Sequence, residues 1–327
     1  MATEVIQVSA TDPDANVIRH AADVLLRGGL VAFPTETVYG LGGLADDPEI
    51  IAKIYAAKGR PAHNPLIAHV AGEAEARAIG GAWPETAAKL ARAFWPGPLT
   101  LVVPRGAGIP RALSSGLDKM AIRAPNHPVA LALLRAVGRP IAAPSANLSM
   151  QLSPTRAEHV VKALDGRIDL VLDAGPSAIG LESTVVDATA NPPLVLRPGM
   201  LSLEDLQRVI PGMRFDARRI DRGPRLSPGM DHKHYAPRAK LVIVPTFALA
   251  NAIAEARQPV ALVSRGHAMG HALERSLPAD AMGYAAALFD ALHSLDDAGA
   301  QTIVLESVPD EPSWAAIRDR LDRASAS

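Results

Sequence analysis

The amino-acid sequence specifies an α/β protein in two parts: a larger body built on a mixed, curved sheet, then a small parallel unit. Three observations lead there. A chain of 327 residues exceeds what one hydrophobic core organises. Up to Ile210, short apolar runs and helical stretches mix without strict alternation, the pattern of a mixed sheet. From Lys240 onward strand and helix alternate regularly, as in parallel βαβ units. The expected division is residues 1–210 for the body, 211–239 for a linker, and 240–327 for the second unit.

Element by element, Val5–Val8 reads as a strand. Asp12 is then placed to cap a helix with Pro13 in its first turn, which Gly28-Gly29 ends. Leu30–Phe33 is a second strand running into a loop from Pro34 to Gly43. Asp47-Pro48 starts a helix through Ile50, Ile51, Ile54 and Tyr55 that stops before Gly59. Strands are predicted at Leu66–Val70, Leu99–Val103, Met120–Arg123, Pro140–Ala143, Leu170–Leu172, Thr184–Val186 and Leu194–Leu196. Helices at Pro84–Phe94, Pro128–Val137 and Thr155–Leu164 separate some of them, and Ser202–Ile210 closes the body. From Pro211 to Lys240 there are eight Arg and Lys against three Asp, with four Pro, which reads as a long ordered linker. The second unit runs strand 240–244, helix 247–256, strand 260–264, helix 279–295, strand 302–305 and helix 312–323.

Composition narrows the function. With 48% hydrophobic and 20% charged residues the chain is globular rather than disordered. Only 4% of residues are aromatic, which argues against stacking platforms for single-stranded nucleic acid. A net charge of −1 provides no overall field toward DNA or a membrane. Zero cysteines exclude disulfides, thiolate nucleophiles and Cys-based metal sites. The N-terminal stretch lacks a basic-then-apolar signal pattern and no apolar run spans a bilayer, so a cytoplasmic protein is expected.

Two short patterns carry the most chemistry. Lys58-Gly-Arg60 offers two fixed cations, which an extended backbone would point to one side. Ser145-Ala-Asn147 repeats that spacing with neutral hydrogen-bonding groups. Together they fit a clamp for a polyanion with a neutral orienting arm. The alternative for Lys58 and Arg60 is compensation of a helix macrodipole, although the rigid flanks Pro61 and Pro65 are superfluous for that. Gly40-Leu-Gly42-Gly-Leu-Ala45 formally fits a dinucleotide fingerprint, but the helix signal comes too late, at Asp47-Pro48. The glycines instead fit a close backbone approach or a tight turn. No GxxxxGK[ST] loop occurs. Ser145 and Ser183 lie outside GxSxG, and no obvious Asp orients His69, so a serine hydrolase is disfavoured. Asp231, His232 and His234 lack a further strong ligand nearby, so no protein-held metal is expected. Arg123 and Arg197 end apolar strands just before Pro, where an arginine either lines a cleft or forms a surface pair.

Taken together, FPTETVYGLG (33–42), KGRPAHNPL (58–66), WPGPLT (95–100), GLDKMAIRAPNHP (116–128), APSANLSMQLSPT (143–155), ESTVVD (182–187), LRPG (196–199) and SPGMDHKHYAP (227–237) resemble the YrdC/YwlC family of threonylcarbamoyl-AMP synthases in its longer form. The resemblance spans residues 33 to 237, and the C-terminal unit matches in length and pattern only. It implies a twisted sheet with a concave basic cavity, a Rossmann-like C-terminal domain, and a linker that closes over the cavity as a lid. The implied reaction joins L-threonine, bicarbonate and ATP, the last with phosphate-bound Mg²⁺, into threonylcarbamoyl-adenylate and pyrophosphate. A downstream complex would then modify an adenosine beside the anticodon of tRNA. The family's Lys-x-Arg and Ser-x-Asn signature, taken as catalytic, falls on Lys58, Arg60, Ser145 and Asn147. The implied ATP contacts are Lys58, Arg60, Asn64, Lys119, Ser145, Ser153 and Arg197, with Met230, His234 and Tyr235 from the lid. The implied threonine contacts are Thr37, His69, Arg123, Ala143 and Ser183. The chain departs from the family pattern at Met150, where glycine is common, and at Asp231-His232, where basic or aromatic residues are frequent.

Two other functions fit parts of the pattern. A double-stranded RNA-binding or ribosome-maturation module would use the basic concavity without catalysis, against which neutral charge and few aromatics speak. A carbamoyl-phosphate-handling domain of a larger maturation enzyme would bring a cysteine-based zinc finger, and this chain has no cysteine.

Overall fold

The computed structural model describes residues 2–215, 226 and 235–326. Met230, Asp231, His232 and His234, four positions of interest in the linker, lie outside the described residues.

The first part consists of β1 (Glu4–Gln7), α1 (Ala15–Leu26), β2 (Val31–Phe33), β3 (Gly40–Leu44), α2 (Pro48–Lys58), β4 (Ile67–His69), α3 (Glu73–Ile79), α4 (Glu85–Phe94), β5 (Leu99–Pro104), β6 (Lys119–Arg123), α5 (Pro128–Val137), β7 (Ile141–Ala142), α6 (Ala157–Leu164), β8 (Leu170–Asp173), β9 (Thr184–Asp187), β10 (Leu194–Arg197), α7 (Leu203–Val209) and β11 (Arg214–Phe215). The strands form one 11-stranded sheet in the order β1-β8-β2-β3-β7-β4-β6-β5-β9-β10-β11. It is mixed, with β4 and β6 parallel and β5 and β6 antiparallel. Helix α1 shows why these segments fold as they do. Ile18, Ala21, Ala22 and Leu25 recur at the helical period and form its buried face. Asp14, not Asp12, is the cap: its carboxylate accepts the backbone N–H groups of Asn16 and Val17, and Pro13 precedes the helix. At α2, Asp47 caps and Pro48 opens the helix, while Gly59 ends it in the left-handed region at φ 59°.

The second part holds β12 (Lys240–Val244), α8 (Leu249–Glu255), β13 (Val260–Arg265), β14 (Glu274–Leu277), α9 (Ala281–Asp297), β15 (Thr302–Glu306) and α10 (Ala315–Ser325). Its sheet has the order β12-β15-β13-β14, and every pairing is parallel. The polar Glu-Arg-Ser-Leu of β14 gives no strand signal. It is fixed locally: the Glu274 carboxylate accepts Ser264 Oγ at 2.7 Å and the N–H groups of Met269, Gly270 and His271 at 2.7–3.0 Å, tying the connecting loop to the strand. The core of this part is continuous with Leu152, Leu181 and Tyr235 from outside it, so the two parts are packed together.

One expectation needs correcting. The loop from Pro34 to Gly43 is half strand, because Gly40–Leu44 pairs antiparallel with β2 and, through Gly43 and Leu44, with β7. Its glycines answer to packing rather than to turning. A Cβ at Gly42 would meet Phe33 at 2.8 Å, and one at Gly43 would meet Ile50 at 2.6 Å, with Ile54 and Leu30 just behind. Gly43→Ala should therefore lower unfolding free energy by about 1–3 kcal/mol through overpacking. Urea denaturation of the purified variant measures it, and an unchanged midpoint would contradict this packing.

Candidate active site

Where β4, β6 and β10 end and β3 and β9 begin, the chain forms a hollow that opens to solvent. Three guanidinium groups line it: Arg60, Arg123 and Arg197. They are 7%, 4% and 2% exposed, which sets the chemistry, because charges so far removed from water need compensation from their surroundings.

Each arginine is delivered by a different device. Arg60 follows the left-handed turn at Gly59, and its N–H closes back on Tyr55 O at the end of α2. Its guanidinium is tied to Asn64 O at 2.9 Å, Asn64 Oδ1 at 2.5 Å and Pro65 O at 3.0 Å. Arg123 ends β6, where the register pairs it with His69 on β4 and Thr100 on β5. It donates to Thr37 Oγ1 at 2.8 Å and makes a buried ion pair with Glu36 at 2.7 Å. Arg197 ends β10 after a register shift, and donates to Ser183 O at 3.0 and 3.1 Å and to Ser183 Oγ at 3.2 Å. Burial lowers its pKa below the ordinary arginine range.

The remaining wall is neutral or singly acidic. Thr35, Thr37, Val38 and Gly40 come from the segment joining β2 to β3, which is pinned by Tyr39 N to Pro154 O and by Leu41 N to Pro144 O. Ala143, Pro144 and Ser145 face it, joined through the Gly40–Ser145 bridge. His69 is buried, and burial and then the Arg123 charge push its pKa down to about 3. It is therefore a neutral imidazole at pH 7. Glu182, Ser183 and Tyr235 complete the lining.

Of the residues singled out in the sequence, Thr37, Arg60, His69, Arg123, Ala143, Ser145, Ser183, Arg197 and Tyr235 line this hollow. Asn64 stands behind Arg60. Ser153 is buried beneath and donates its hydroxyl to Glu182. Lys119 starts β6 and pairs with Asp187 at 3.0 Å, away from the lining. Lys58 sits differently from the expected clamp. It is the last residue of α2 rather than part of an extended segment, and it is 2% exposed. Its ammonium donates to Ser145 O and Asn147 O at 2.5 Å and to Asn147 Oδ1 at 3.2 Å, and its own carbonyl accepts Ser149 N at 2.9 Å. Burial, then the charge of Arg60, pull its pKa well below 10.5, while three oxygen acceptors call for the three N–H groups of the ammonium form. The Lys-x-Arg and Ser-x-Asn patterns are thus bonded to each other. Asn147 in turn accepts Ser145 Oγ at 2.6 Å and donates to Gln151 O at 2.7 Å. Glu36 and Glu182 were inside the quoted motifs, yet only their positions against Arg123 and Arg197 give them weight.

Residues 23–199 match the Sua5/YciO/YrdC family model described as "Telomere recombination", and residues 201–326 match the C-terminal domain of threonylcarbamoyl-AMP synthase. The threonylcarbamoyl-AMP synthase of Pyrococcus abyssi is 42% identical over 94% of each chain. This chain belongs to the threonylcarbamoyl-AMP synthase family. The Bacillus subtilis member is 41% identical, covering 98% of this chain and 95% of its own. Among solved structures, Pyrococcus abyssi Sua5 complexed with L-threonine superimposes with a TM-score of 0.93 at 39% identity, covering 99% of this chain and 98% of that one. Escherichia coli YciO, at 23% identity and a TM-score of 0.55 over 60% of this chain, shares the fold of the first part. The family's Sua5 structures thus share both sheets of this chain and their placement.

The neutral state of His69 links stability to pH. Its folded pKa of about 3 lies below the ordinary 6.5, so between these values the unfolded chain binds the extra proton. Stability is therefore fully present above pH 6.5 and falls as pH drops toward 3, by up to about 1.4 kcal/mol per pH unit from this group. Denaturant titrations from pH 7 to pH 4 should give a shallower loss in His69→Gln than in the parent. Equal slopes would show that His69 is charged in the folded protein.

Proposed function

We propose that this chain condenses L-threonine, bicarbonate and ATP into threonylcarbamoyl-adenylate and pyrophosphate, acting as a nucleotidyltransferase. The observation that carries the reading is the convergence of Arg60, Arg123 and Arg197, all buried, on one hollow. A triphosphate and an amino-acid carboxylate are the anions that such a set matches, because guanidinium groups grip both bidentately.

The threonine amine would first take up carbon dioxide equivalents from bicarbonate, giving a carbamate with loss of water. A carbamate oxygen then attacks the α-phosphorus of ATP, and pyrophosphate leaves. No protein nucleophile is needed, since neutralising and aligning two anions supplies most of the rate. In this reading Arg60, with Asn64 and Ser145 beside it, and Arg197 receive the phosphates, with Ser153, Lys119 and Asn147 supporting the nucleotide side. Lys58 holds the Ser145–Asn147 arm in place and sits next to Arg60. Arg123, Thr37, His69, Ala143 and Ser183 receive threonine, and a neutral imidazole at His69 suits the uncharged amine that must react. Among the described residues no cluster of three His, Asp or Glu gathers, so Mg²⁺ would enter on the triphosphate as part of the substrate. Met230, His234 and Tyr235 are assigned to the closing segment, of which Tyr235 reaches Arg197 at 3.5 Å.

The product would pass to a threonylcarbamoyl-transferring complex that acts on tRNA. Among the described residues no helix is long and apolar enough to cross a membrane. Arginines 2–7% exposed cannot reach the phosphates of a rigid duplex, which disfavours the RNA-binding alternative. In a mixture of protein, ATP, Mg²⁺, bicarbonate and labelled threonine, pyrophosphate release should require both threonine and bicarbonate. Release indifferent to either would reject the reading. Arg60→Ala should lower kcat/KM for ATP about 10- to 150-fold, the loss of one charge-assisted contact of roughly 1.5–3 kcal/mol.

A further inference from the structure

Arg320, on α10 of the second part, is the largest of the fully buried side chains, at 1% exposure. Its partners lie mostly outside its own unit. Nε donates to Glu182 Oε2 at 2.7 Å across 138 residues of sequence, and Nη2 lies 3.5 Å from the Glu182 main-chain oxygen. The guanidinium carbon stands 5.2 Å from the centre of the Tyr235 ring, and the Phe289 ring lies 5.9 Å from the same ring. Nη1 is taken by Asp319, itself paired with Arg323.

Two of these partners, Glu182 and Tyr235, are walls of the cavity. The second carboxylate oxygen of Glu182 accepts the Ser153 hydroxyl, and the carbonyl and hydroxyl of the next residue, Ser183, hold Arg197. The Tyr235 hydroxyl meets Arg197 from the other side at 3.5 Å. Two short routes therefore run from α10 to one guanidinium of the cavity, one through Glu182-Ser183 and one through the Tyr235 ring. An ion pair removed from water is weak glue, and apolar side chains of similar volume hold two units together as well. What a charged, forked side chain adds is orientation.

We propose that Arg320 is a positioning residue for the cavity: it fixes Glu182 and the Tyr235 ring, and so sets the direction in which Arg197 presents its guanidinium to an anionic ligand. The proposal rests on the reading of the cavity as the ATP and threonine site. The charged and titratable groups around Glu182 are Arg320 with Asp319 on α10, Arg197 on β10, and Tyr235. Burial pushes the Glu182 carboxyl up, but Arg320, then Arg197, then the Ser153 hydroxyl hold it below its ordinary value, so it is ionised at neutral pH. Without Arg320 the carboxylate would draw Arg197 toward itself and away from the ligand.

The test uses the full chain and three variants: Arg320→Met, Arg320→Lys, and Arg320→Met combined with Glu182→Gln. KM and kcat for ATP are measured by threonine-dependent pyrophosphate release, well below each melting midpoint. Arg320→Met should raise KM about tenfold or more with kcat within about threefold, because ligand positioning rather than the chemical step is disturbed. The double variant should raise KM clearly less than Arg320→Met alone, since no unpaired carboxylate is left to capture Arg197, and an equal or larger rise would count against this route. Arg320→Lys, which keeps the charge but loses the fork, should fall between and serves where Arg320→Met does not fold. A lowered melting temperature with KM unchanged would make Arg320 a mere brace between the two parts and overturn the proposal. Hydrogen–deuterium exchange judges Arg320 independently of turnover. Amides at 182–184 and 195–197 should exchange faster in Arg320→Met, while those of 302–306 should not, and the reverse pattern would refute the positioning role. Failure of the parent to release pyrophosphate would sink the functional reading alone.

Discussion

The constraint on which this molecule turns is the burial of three guanidinium groups around one hollow. An isolated ion costs several kcal/mol to bury even after relaxation, and like charges brought together add to that. The surrounding structure answers with oxygens. Arg60 is held by carbonyl and amide oxygens of Asn64 and Pro65, Arg123 by Thr37 and Glu36, and Arg197 by Ser183. This accounts for most of the polar residues that are buried near the cavity, among them Glu36, Thr37, Asn64, Glu182 and Ser183. Apart from the Glu36 carboxylate these oxygens are neutral, and they satisfy hydrogen-bonding capacity but leave positive charge in place. That remaining charge is what an anionic ligand meets, so the same arrangement that makes the cavity costly to build makes it attractive to phosphate and carboxylate.

Strand register does much of the positioning. Because β4 and β6 run parallel with His69 opposite Arg123, the imidazole is buried and lies beside a fixed cation, and it stays neutral for both reasons, burial first. A one-residue slip in either strand would turn one of the two away from the cavity, since successive side chains alternate faces. The glycines of β3 belong to the same design. They let β3 sit hard against Phe33, Ile50 and Ile141, which brings the Gly40–Ser145 bridge, and with it the Lys58-anchored arm, to the cavity rim.

How much of this was legible in the residues depends on sequence distance. Local signals carried through: Asp47-Pro48 and Gly59 set the limits of α2, and Ser202 opens α7 through a reciprocal cap with Asp205. The Lys-x-Arg and Ser-x-Asn pairs were visible as patterns, but their direct bonding across 87 to 89 residues was not. Gly40–Leu44 looked like a loop because its glycines carry no strand propensity, and only tertiary packing makes them the residues that fit. β14 escaped notice because its stability comes from one carboxylate gathering loop amides rather than from apolar alternation. Arg320 gave no signal at all. An arginine at helical spacing near a chain end reads as solvated surface, and only the packing of the two parts puts it in the interior.

Two backbone positions show where the junction between the parts is held most tightly. Met150 and Tyr235 both adopt the left-handed conformation, at φ 70° and 62°, although neither is glycine. Such residues cost of order 1–3 kcal/mol and persist only where their surroundings over-determine them. For Tyr235 the surroundings are plain: Arg320 over the ring, Phe289 beside it and Arg197 at the hydroxyl. For Met150 they are its neighbour, since Ala236 N donates to Met150 O at 3.1 Å and Gln151 bridges Ala236 in the parallel sense. At Tyr235-Ala236 the chain is therefore fastened on two sides, to the second part through an aromatic ring and to the Ser145–Gln151 arm through its backbone. Glycine is the residue that occupies this conformation without strain. At Tyr235 the strain is met by Arg320 and Phe289 of the second part, so that part is built into the cavity's frame rather than appended to it.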